Sequence, residues 1–144
     1  MAAFSQEISS DKIPRPVRQA FVNQFPAAKA LKYELNNTDY KISFRDQGKE
    51  CIITYNAAGK LLETEREITS ARLPKEVSAA VTKNFPGYTI ITAVRREAID
   101  KGICFEMDLK KEDAGYSVRF SDKGEILMKV ARKVEFKVTT KSKR

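Results

Sequence analysis

The 144-residue chain repeats its own sequence pattern after about sixty residues, and this repeat constrains the fold more than any other feature. Ile13-Pro14 opens the first segment and Leu73-Pro74 opens the second, and each segment closes on a Phe-Pro pair. A proline is tolerated in the first turn of a helix but stops a helix in its interior, so each segment predicts one short helix. Its apolar residues have helical spacing, at Val17, Ala20, Phe21 and Phe25 and again at Val77, Ala80, Val81 and Phe85.

Alternating apolar segments follow each predicted helix and indicate β-strands. In the first repeat the alternating residues are Leu31, Tyr33 and Leu35, then Tyr40, Ile42 and Phe44, then Cys51, Ile53 and Tyr55. At an offset of 65 the last two groups match Phe105, Met107 and Leu109, and Tyr116, Val118 and Phe120. Gly59 and Gly124 end equivalent turns, where a positive φ is needed. We expect the residues that alternate along the last strand to share one face: Ile126, Met128, Val130, Val134, Phe136 and Val138.

Each repeat therefore consists of a short helix and a four-stranded antiparallel meander that is apolar on one face. One such layer cannot enclose a core. We predict an α+β fold in which the tandem repeat forms an antiparallel sheet of about eight strands, with two helices on one face and the other face open to solvent. The predicted domain spans residues 11–138 and contains the repeats 11–68 and 71–138.

The two ends of the chain differ in composition from its body. Residues 132–144 hold six basic groups and one acidic group, in a chain of net charge +8, and we interpret residues 139–144 as a basic tail. Ala3-Phe4-Ser5 places small residues where a signal peptidase cuts, but the basic start and the apolar run of a signal peptide are missing. Residues 1–10 are therefore either a signal-peptide remnant or a flexible leader.

The composition excludes several classes of site. The chain has no histidine, which excludes Ser-His and Cys-His nucleophile pairs, and its two cysteines cannot build a four-cysteine zinc site. No apolar run approaches the roughly 20 residues of a membrane helix, so we expect no membrane span. The basic end lacks the interleaved aromatic residues typical of single-strand binders, so we expect no nucleic-acid partner. We predict that the protein is not an enzyme and has no cofactor.

The repeated pattern resembles a known family. The unit (I/L)-P-x-x-V-x-x-A-(F/V)-x-x-x-F-P, followed by a meander with an N/S-x-x-G turn, is similar to the PepSY-like domain family of Bacteroidetes over residues 11–135. The resemblance implies a fold like that of the beta-lactamase inhibitor proteins. It also implies a periplasmic or secreted location, with the signal peptide absent from this chain or truncated in it. Some members are labelled calcium-regulated periplasmic proteins, so the resemblance implies a calcium- or cation-responsive protein as an alternative function.

In inhibitor proteins of similar fold, the open face of the sheet contacts an enzyme. The resemblance thus favours an exported binding or regulatory module, of inhibitor type, that uses its open face to contact an envelope protein. Because strand residues alternate between faces, the candidate partner-binding residues are Lys41, Ser43, Arg45, Ile52, Thr54, Ser117 and Arg119. Ile52 is the apolar member of this set, so it is either the centre of a contact patch or an ordinary exposed side chain.

Two further groups of residues could carry chemistry. Cys51 lies in phase with the apolar face and Cys104 lies out of phase, so we expect both to be thiols rather than one disulfide. Glu63, Glu65 and Glu67 alternate along one strand face. Such a row could bind a hard cation, or it could be a strand guarded by charge.

Overall fold

The computed structural model describes residues 5–133, which form nine β-strands and two α-helices. The strands are β1 (Ser5–Ile8), β2 (Ala30–Asn36), β3 (Asp39–Asp46), β4 (Lys49–Tyr55), β5 (Leu61–Ile68), β6 (Thr89–Ala98), β7 (Gly102–Lys111), β8 (Ala114–Ser121) and β9 (Ile126–Lys133). The helices are α1 (Arg15–Gln24) and α2 (Lys75–Asn84), each preceded by a short 3-10 helix, Ser10–Lys12 and Ser70–Arg72. The strands form one open antiparallel sheet in chain order, which confirms the α+β class.

The sheet has nine strands rather than the eight or so that we predict, because the first strand lies in the predicted leader. Residues 5–8 pair antiparallel with β2, with Ser5 opposite Asn36 and Ile8 opposite Tyr33. This strand is mostly exposed and has one apolar side chain, Ile8, that packs against the core. A strand held mainly by backbone hydrogen bonds leaves little hydrophobic pattern, so periodicity does not reveal it.

The described chain divides into two compact units. Unit 1 comprises residues 5–67 and 95–103, and unit 2 comprises residues 68–94 and 104–133. Each unit contains one of the two helices.

The core of unit 1 lies between α1 and one face of β3 and β4. Val17 and Phe21 of the helix are buried. The ring centroids of Phe21 and Phe44 lie 5.2 Å apart, with the rings in an edge-on geometry. Cross-strand pairing puts Phe44 opposite Cys51 and Ile42 opposite Ile53, and all four are about 1% exposed. We call this side of the strands the helix face of unit 1 and the opposite side its outer face.

Unit 2 has a core of the same kind. Val77 and Val81 of α2 are buried. The ring centroid of Phe85, at the end of the helix, lies 5.2 Å from that of Tyr116 and 6.4 Å from that of Phe120. Further buried residues alternate along β7 and β8: Phe105, Met107, Leu109, Val118 and Phe120. The side of β7 and β8 that carries them is the helix face of unit 2, and the opposite side is its outer face.

A β-bulge reverses the expected orientation of the last strand. Phe120 pairs with Ile126, whereas Arg119 pairs with Met128, so Leu127 is the extra residue. One extra residue moves every following side chain to the other face. Ile126 therefore lies on the helix face, while Met128 and Val130 lie on the outer face, and the prediction that the three share a face is wrong. Val134, Phe136, Val138 and the basic tail 139–144 lie outside the described residues.

The same irregularity occurs at two positions in unit 1. In β5, Tyr55 pairs with Leu61 and Thr54 pairs with Glu63, so Leu62 is the extra residue. In β2, Ala30 pairs with Phe44 and Lys32 pairs with Ser43, so Leu31 is the extra residue. The predicted alternation of Leu31 with Tyr33 is therefore wrong: Ala30 takes the helix-face position and Leu31 is 59% exposed.

Candidate functional site

The seven candidate partner-binding residues all occupy outer-face positions. Five are in unit 1, where Lys41 pairs with Thr54 and Ser43 pairs with Ile52, while Arg45 pairs with Glu50. Two are in unit 2, where Ser117 pairs with Asp108 and Arg119 with Glu106. The alternation of strand residues thus gives the correct face, but the accessibility of the side chains differs within the set.

Thr54 is the buried member of this set. It is 6% exposed although it occupies an outer-face position between Lys41 and Glu63 on the neighbouring strands. Its hydroxyl oxygen is buried and makes no hydrogen bond to another described residue. A buried hydroxyl cannot contact a partner on this surface, so we remove Thr54 from the candidate surface.

The outer face of unit 1 is mainly polar. Arg45 Nη2 lies 3.8 Å from Oε2 of its cross-strand neighbour Glu50, and both side chains are well exposed. Ile52, the predicted apolar centre, is partly buried between Ser43 and Glu65. An exposed ion pair contributes at most about 1 kcal/mol to stability. Unit 1 thus presents charge and hydroxyl groups with little exposed apolar area at the predicted centre.

Two carboxylates of the acidic row on β5 pair with one arginine. Glu63 and Glu65 face outward, and the Nε and Nη2 atoms of Arg96 lie 2.8 and 3.2 Å from their carboxylate oxygens. Glu67 accepts a hydrogen bond from the backbone N–H of Glu50 at 3.3 Å. Among residues 5–133, no group of three or more acidic, cysteine or histidine residues is arranged to hold a metal ion. Glu63 and Glu65 are therefore charge-paired with Arg96, whereas Glu67 is bonded to the backbone of β4.

A polar network crosses the outer face of unit 2. Arg119 Nε donates to Glu106 Oε2 at 2.7 Å, and Ser117 Oγ donates to Asp108 Oδ1 at 2.7 Å. Thr92 on β6 donates to the other oxygen of Asp108 at 3.3 Å. These bonds hold both candidate residues of unit 2 in fixed orientations, which lowers the entropy lost when a partner binds.

Exposed apolar side chains border this network. Met128 lies opposite Arg119 and is 39% exposed, and Val130 lies opposite Ser117 and is 45% exposed. We call these four residues the β8–β9 patch. The patch borders a shallow groove of about 260 Å³, whose lining includes Thr92, Val94, Glu106, Asp108 and Arg132. Apolar side chains beside pre-oriented charged groups are typical of protein-contact surfaces.

Period-two alternation alone misses Met128 and Val130, but the internal repeat contains a signal that identifies them. At the offset of 65 that matches the strands, Met128 corresponds to Glu63 and Val130 corresponds to Glu65. A glutamate is almost never fully buried unless it is paired, so its position indicates the outer face. The charged residues of the first repeat therefore mark the orientation of the apolar residues in the second.

Two titratable groups with shifted pKa values lie in the core of unit 1. Burial raises the pKa of the Cys51 thiol, and the nearby Arg66 guanidinium offsets only part of that rise. Burial also raises the pKa of Tyr55 to about 12. Tyr55 donates a hydrogen bond to Gln24 Oε1 at 2.9 Å. Both side chains are about 1% exposed, so neither can reach a substrate at the surface. Cys51 and Cys104, both among the described residues, are not joined in a disulfide.

Comparison with known proteins gives one family match. The sequence model described as "Putative beta-lactamase-inhibitor-like, PepSY-like" matches residues 3–63 and again residues 52–128. No curated protein matches the sequence.

Neither of the described helices has the length and apolar character needed to span a membrane.

Solved structures show the same fold at low sequence identity. A "putative periplasmic" protein from Bacteroides eggerthii is 16% identical with a TM-score of 0.74, and the match covers 82% of this chain and 88% of that chain. A DUF2874 family protein from Bacteroides uniformis is 15% identical with a TM-score of 0.73 and the same coverage. A BLIP-like protein from Bacteroides fragilis is 21% identical with a TM-score of 0.68, over 88% of this chain and 92% of that chain.

Proposed function

Because the chain belongs to the beta-lactamase-inhibitor-like, PepSY-like family, we propose that it is a non-enzymatic module that binds a protein partner in the periplasm or outside the cell. Two structural neighbours support this proposal by their names, one as a periplasmic protein and one as a BLIP-like protein. The absence of histidine from the sequence agrees with a binding role, since it removes the commonest general base.

The β8–β9 patch carries this proposal. Met128 and Val130 expose apolar area on an outer face, next to Arg119 and Ser117, which hydrogen bonds already hold in place. Fully burying an exposed Met or Val side chain contributes roughly 1.5–3 kcal/mol. Met128 and Val130 are 39% and 45% exposed, so an interface gains only part of that amount from each. The surrounding hydroxyl, carboxylate and guanidinium groups would supply the polar rim of such an interface. A partner with an apolar anchor and complementary polar groups fits this surface.

The outer face of unit 1 is a weaker candidate. Lys41, Ser43, Arg45 and Ile52 remain candidate contact residues, but Ile52 is partly buried and Arg45 is already near Glu50. Rim charges of this kind affect the rate of association more than the affinity. We therefore place the main contact in unit 2.

We also infer that the chain is a tandem duplication of one helix-and-meander unit. The family model matches the chain twice, and the two helices begin sixty residues apart, at Arg15 and Lys75. Equivalent glycines contact the two helices in the same way: a methyl group added to Gly59 would lie 2.6 Å from Pro16 O, and one added to Gly124 would lie 2.6 Å from Glu76 O. These paired features support the duplication.

Affinity capture with matched variants tests the proposed contact. The full chain is immobilised and exposed to an envelope extract of a Bacteroides species, and captured proteins are compared between wild type and Met128→Asp/Val130→Asp. Two buried carboxylates would replace apolar anchors, so we expect the affinity for a captured partner to fall at least about tenfold, which corresponds to 1.4 kcal/mol.

Leu31→Asp is the matched control, because Leu31 is also an exposed apolar residue next to a bulge and is in unit 1. It should leave capture unchanged. Equal loss of capture in the control, or undiminished capture by the Met128→Asp/Val130→Asp variant, would contradict the assignment of the contact to the β8–β9 patch. Thermal melting of each variant checks that the fold is retained.

A further inference from the structure

A second cavity lies in unit 1, on the helix face. It has a volume of about 390 Å³ and lies between α1 and strands β2 and β3. Its apolar lining includes Ile13, Phe21, Ala28, Ala30, Tyr33 and Ile42. Ile13, Phe21 and Ile42 are at most 6% exposed, so the floor of the cavity belongs to the hydrophobic core. Its size is in the range of small-molecule pockets, about 300–1,000 Å³.

Two small residues that line the cavity, Ala28 and Ala30, correspond to larger residues in unit 2. Ala28 and Tyr88 occupy equivalent positions in the turns after the two helices. The backbone N–H of Ala28 donates to the carbonyl of Phe25 at 3.1 Å, and that of Tyr88 donates to the carbonyl of Phe85 at 3.1 Å. Tyr88 fills its position, with its ring 5.8 Å from Phe85 and 5.7 Å from Tyr116. Two residues further on, Ala30 in unit 1 corresponds to Ile90 in unit 2.

The bulge in β2 enlarges the same space. It turns Leu31 out to solvent and places Ala30 on the helix face opposite Phe44. A leucine in that position would reach the space that the alanine leaves open. Apolar surface left in contact with solvent is unfavourable, so an open cavity with a buried apolar floor is a candidate ligand site.

Basic groups stand at the mouth of the cavity. Arg18 and Lys29 line it, and none of its lining residues is acidic. The guanidinium of Arg18 is held in place, since Nη2 donates to Ser10 O at 2.8 Å and lies 3.5 Å from Ile13 O. A guanidinium and an ammonium group both favour a carboxylate, and the apolar lining favours a hydrocarbon chain.

We propose that this cavity binds an amphiphilic carboxylate, with its hydrocarbon chain against Phe21, Ala28 and Ala30 and its carboxylate at Arg18 and Lys29. This site is separate from the β8–β9 patch and does not depend on the proposed partner contact. A free fatty acid of medium length has the required chemistry.

Calorimetric titration of the full chain with decanoate, below its micelle concentration, tests the proposal. We expect saturable one-site binding of decanoate and at least tenfold weaker binding of 1-decanol, which has the same chain without the charge. The variant Ala28→Tyr/Ala30→Ile installs the residues that unit 2 carries at these positions and should abolish decanoate binding. The control Ala27→Tyr adds the same ring at the exposed neighbouring residue and should bind as the wild type does.

A second variant keeps the test decisive if the filled cavity disturbs folding. Val22 lines the mouth and is 50% exposed, so Val22→Glu should fold and should weaken decanoate binding by placing a negative charge beside the carboxylate. Asn23→Glu adds the same charge at the next helical residue, outside the cavity lining, and is its control. The proposal is overturned if wild type shows no saturable binding, if decanol binds as tightly as decanoate, or if Val22→Glu binds as tightly as Asn23→Glu.

Discussion

Tyr55 shows how a polar group is accommodated in the core of unit 1. Its side chain is 1% exposed, and its hydroxyl donates to Gln24 Oε1 at 2.9 Å at the end of α1. Burial disfavours the phenolate form, which raises the pKa of Tyr55 to about 12. The native state therefore keeps this proton at a pH at which the unfolded chain loses it.

The shifted pKa of Tyr55 predicts an alkaline loss of stability. The unfolded tyrosine has a pKa near 10, so between pH 10 and 12 the unfolded state binds fewer protons than the native state, and the free energy of unfolding falls as pH rises. Below pH 10 this effect is absent. Tyr55→Phe should flatten that part of the curve in urea unfolding experiments. Phe44→Leu, a change in the same core that removes no titratable group, should leave the slope close to that of wild type.

At the scale of elements, the turn before β5 contacts α1 and the turn before β9 contacts α2. Gly59 and Gly124 have φ values of 86° and 89°, and each backbone lies directly against a carbonyl oxygen in the first turn of α1 or α2. A side chain is excluded there both by the left-handed conformation and by the contact. The two glycines thus fix how closely the turn and the helix approach one another.

We predict that Gly59→Ala and Gly124→Ala destabilise the protein more than an alanine in an open left-handed turn does. Gly48 has a φ of 79° and nothing within 4 Å of an added methyl group, so Gly48→Ala should cost only the conformational strain, about 1–2 kcal/mol. The two contact glycines should cost at least about 1 kcal/mol more, because the helix must move. Chemical denaturation measures the difference, and equal losses at all three positions would contradict the contact.

Bulges account for what the sequence could and could not predict at this scale. Prolines and helical spacing predict both helices, because their physical signals are local. Strand alternation gives the correct faces for β3, β4, β7 and β8, which pair without interruption. It fails at Leu31 and after Leu127, because a single extra residue leaves composition unchanged while it reverses the orientation of the side chains on one side of the bulge.

At the scale of the whole molecule, the same reversal changes the candidate site. Alternation correctly places Ser117 and Arg119 on an outer face, but it puts Met128 and Val130 on the wrong one. Alternation also says nothing about Thr54, whose burial depends on the side chains of neighbouring strands. Location on a face follows from local sequence in a strand without a bulge, whereas accessibility depends on packing between residues far apart in the chain.

Site-specific photocrosslinking in living cells tests the central claim, that the β8–β9 patch contacts a protein partner. A benzophenone amino acid replaces Val130 in one chain and Leu31, a more exposed apolar residue of unit 1, in another. Ultraviolet light should join the position-130 chain to one discrete protein, and Met128→Asp in the same chain should remove that product. A product from position 31 but not from position 130, or equal products from both, would contradict the account.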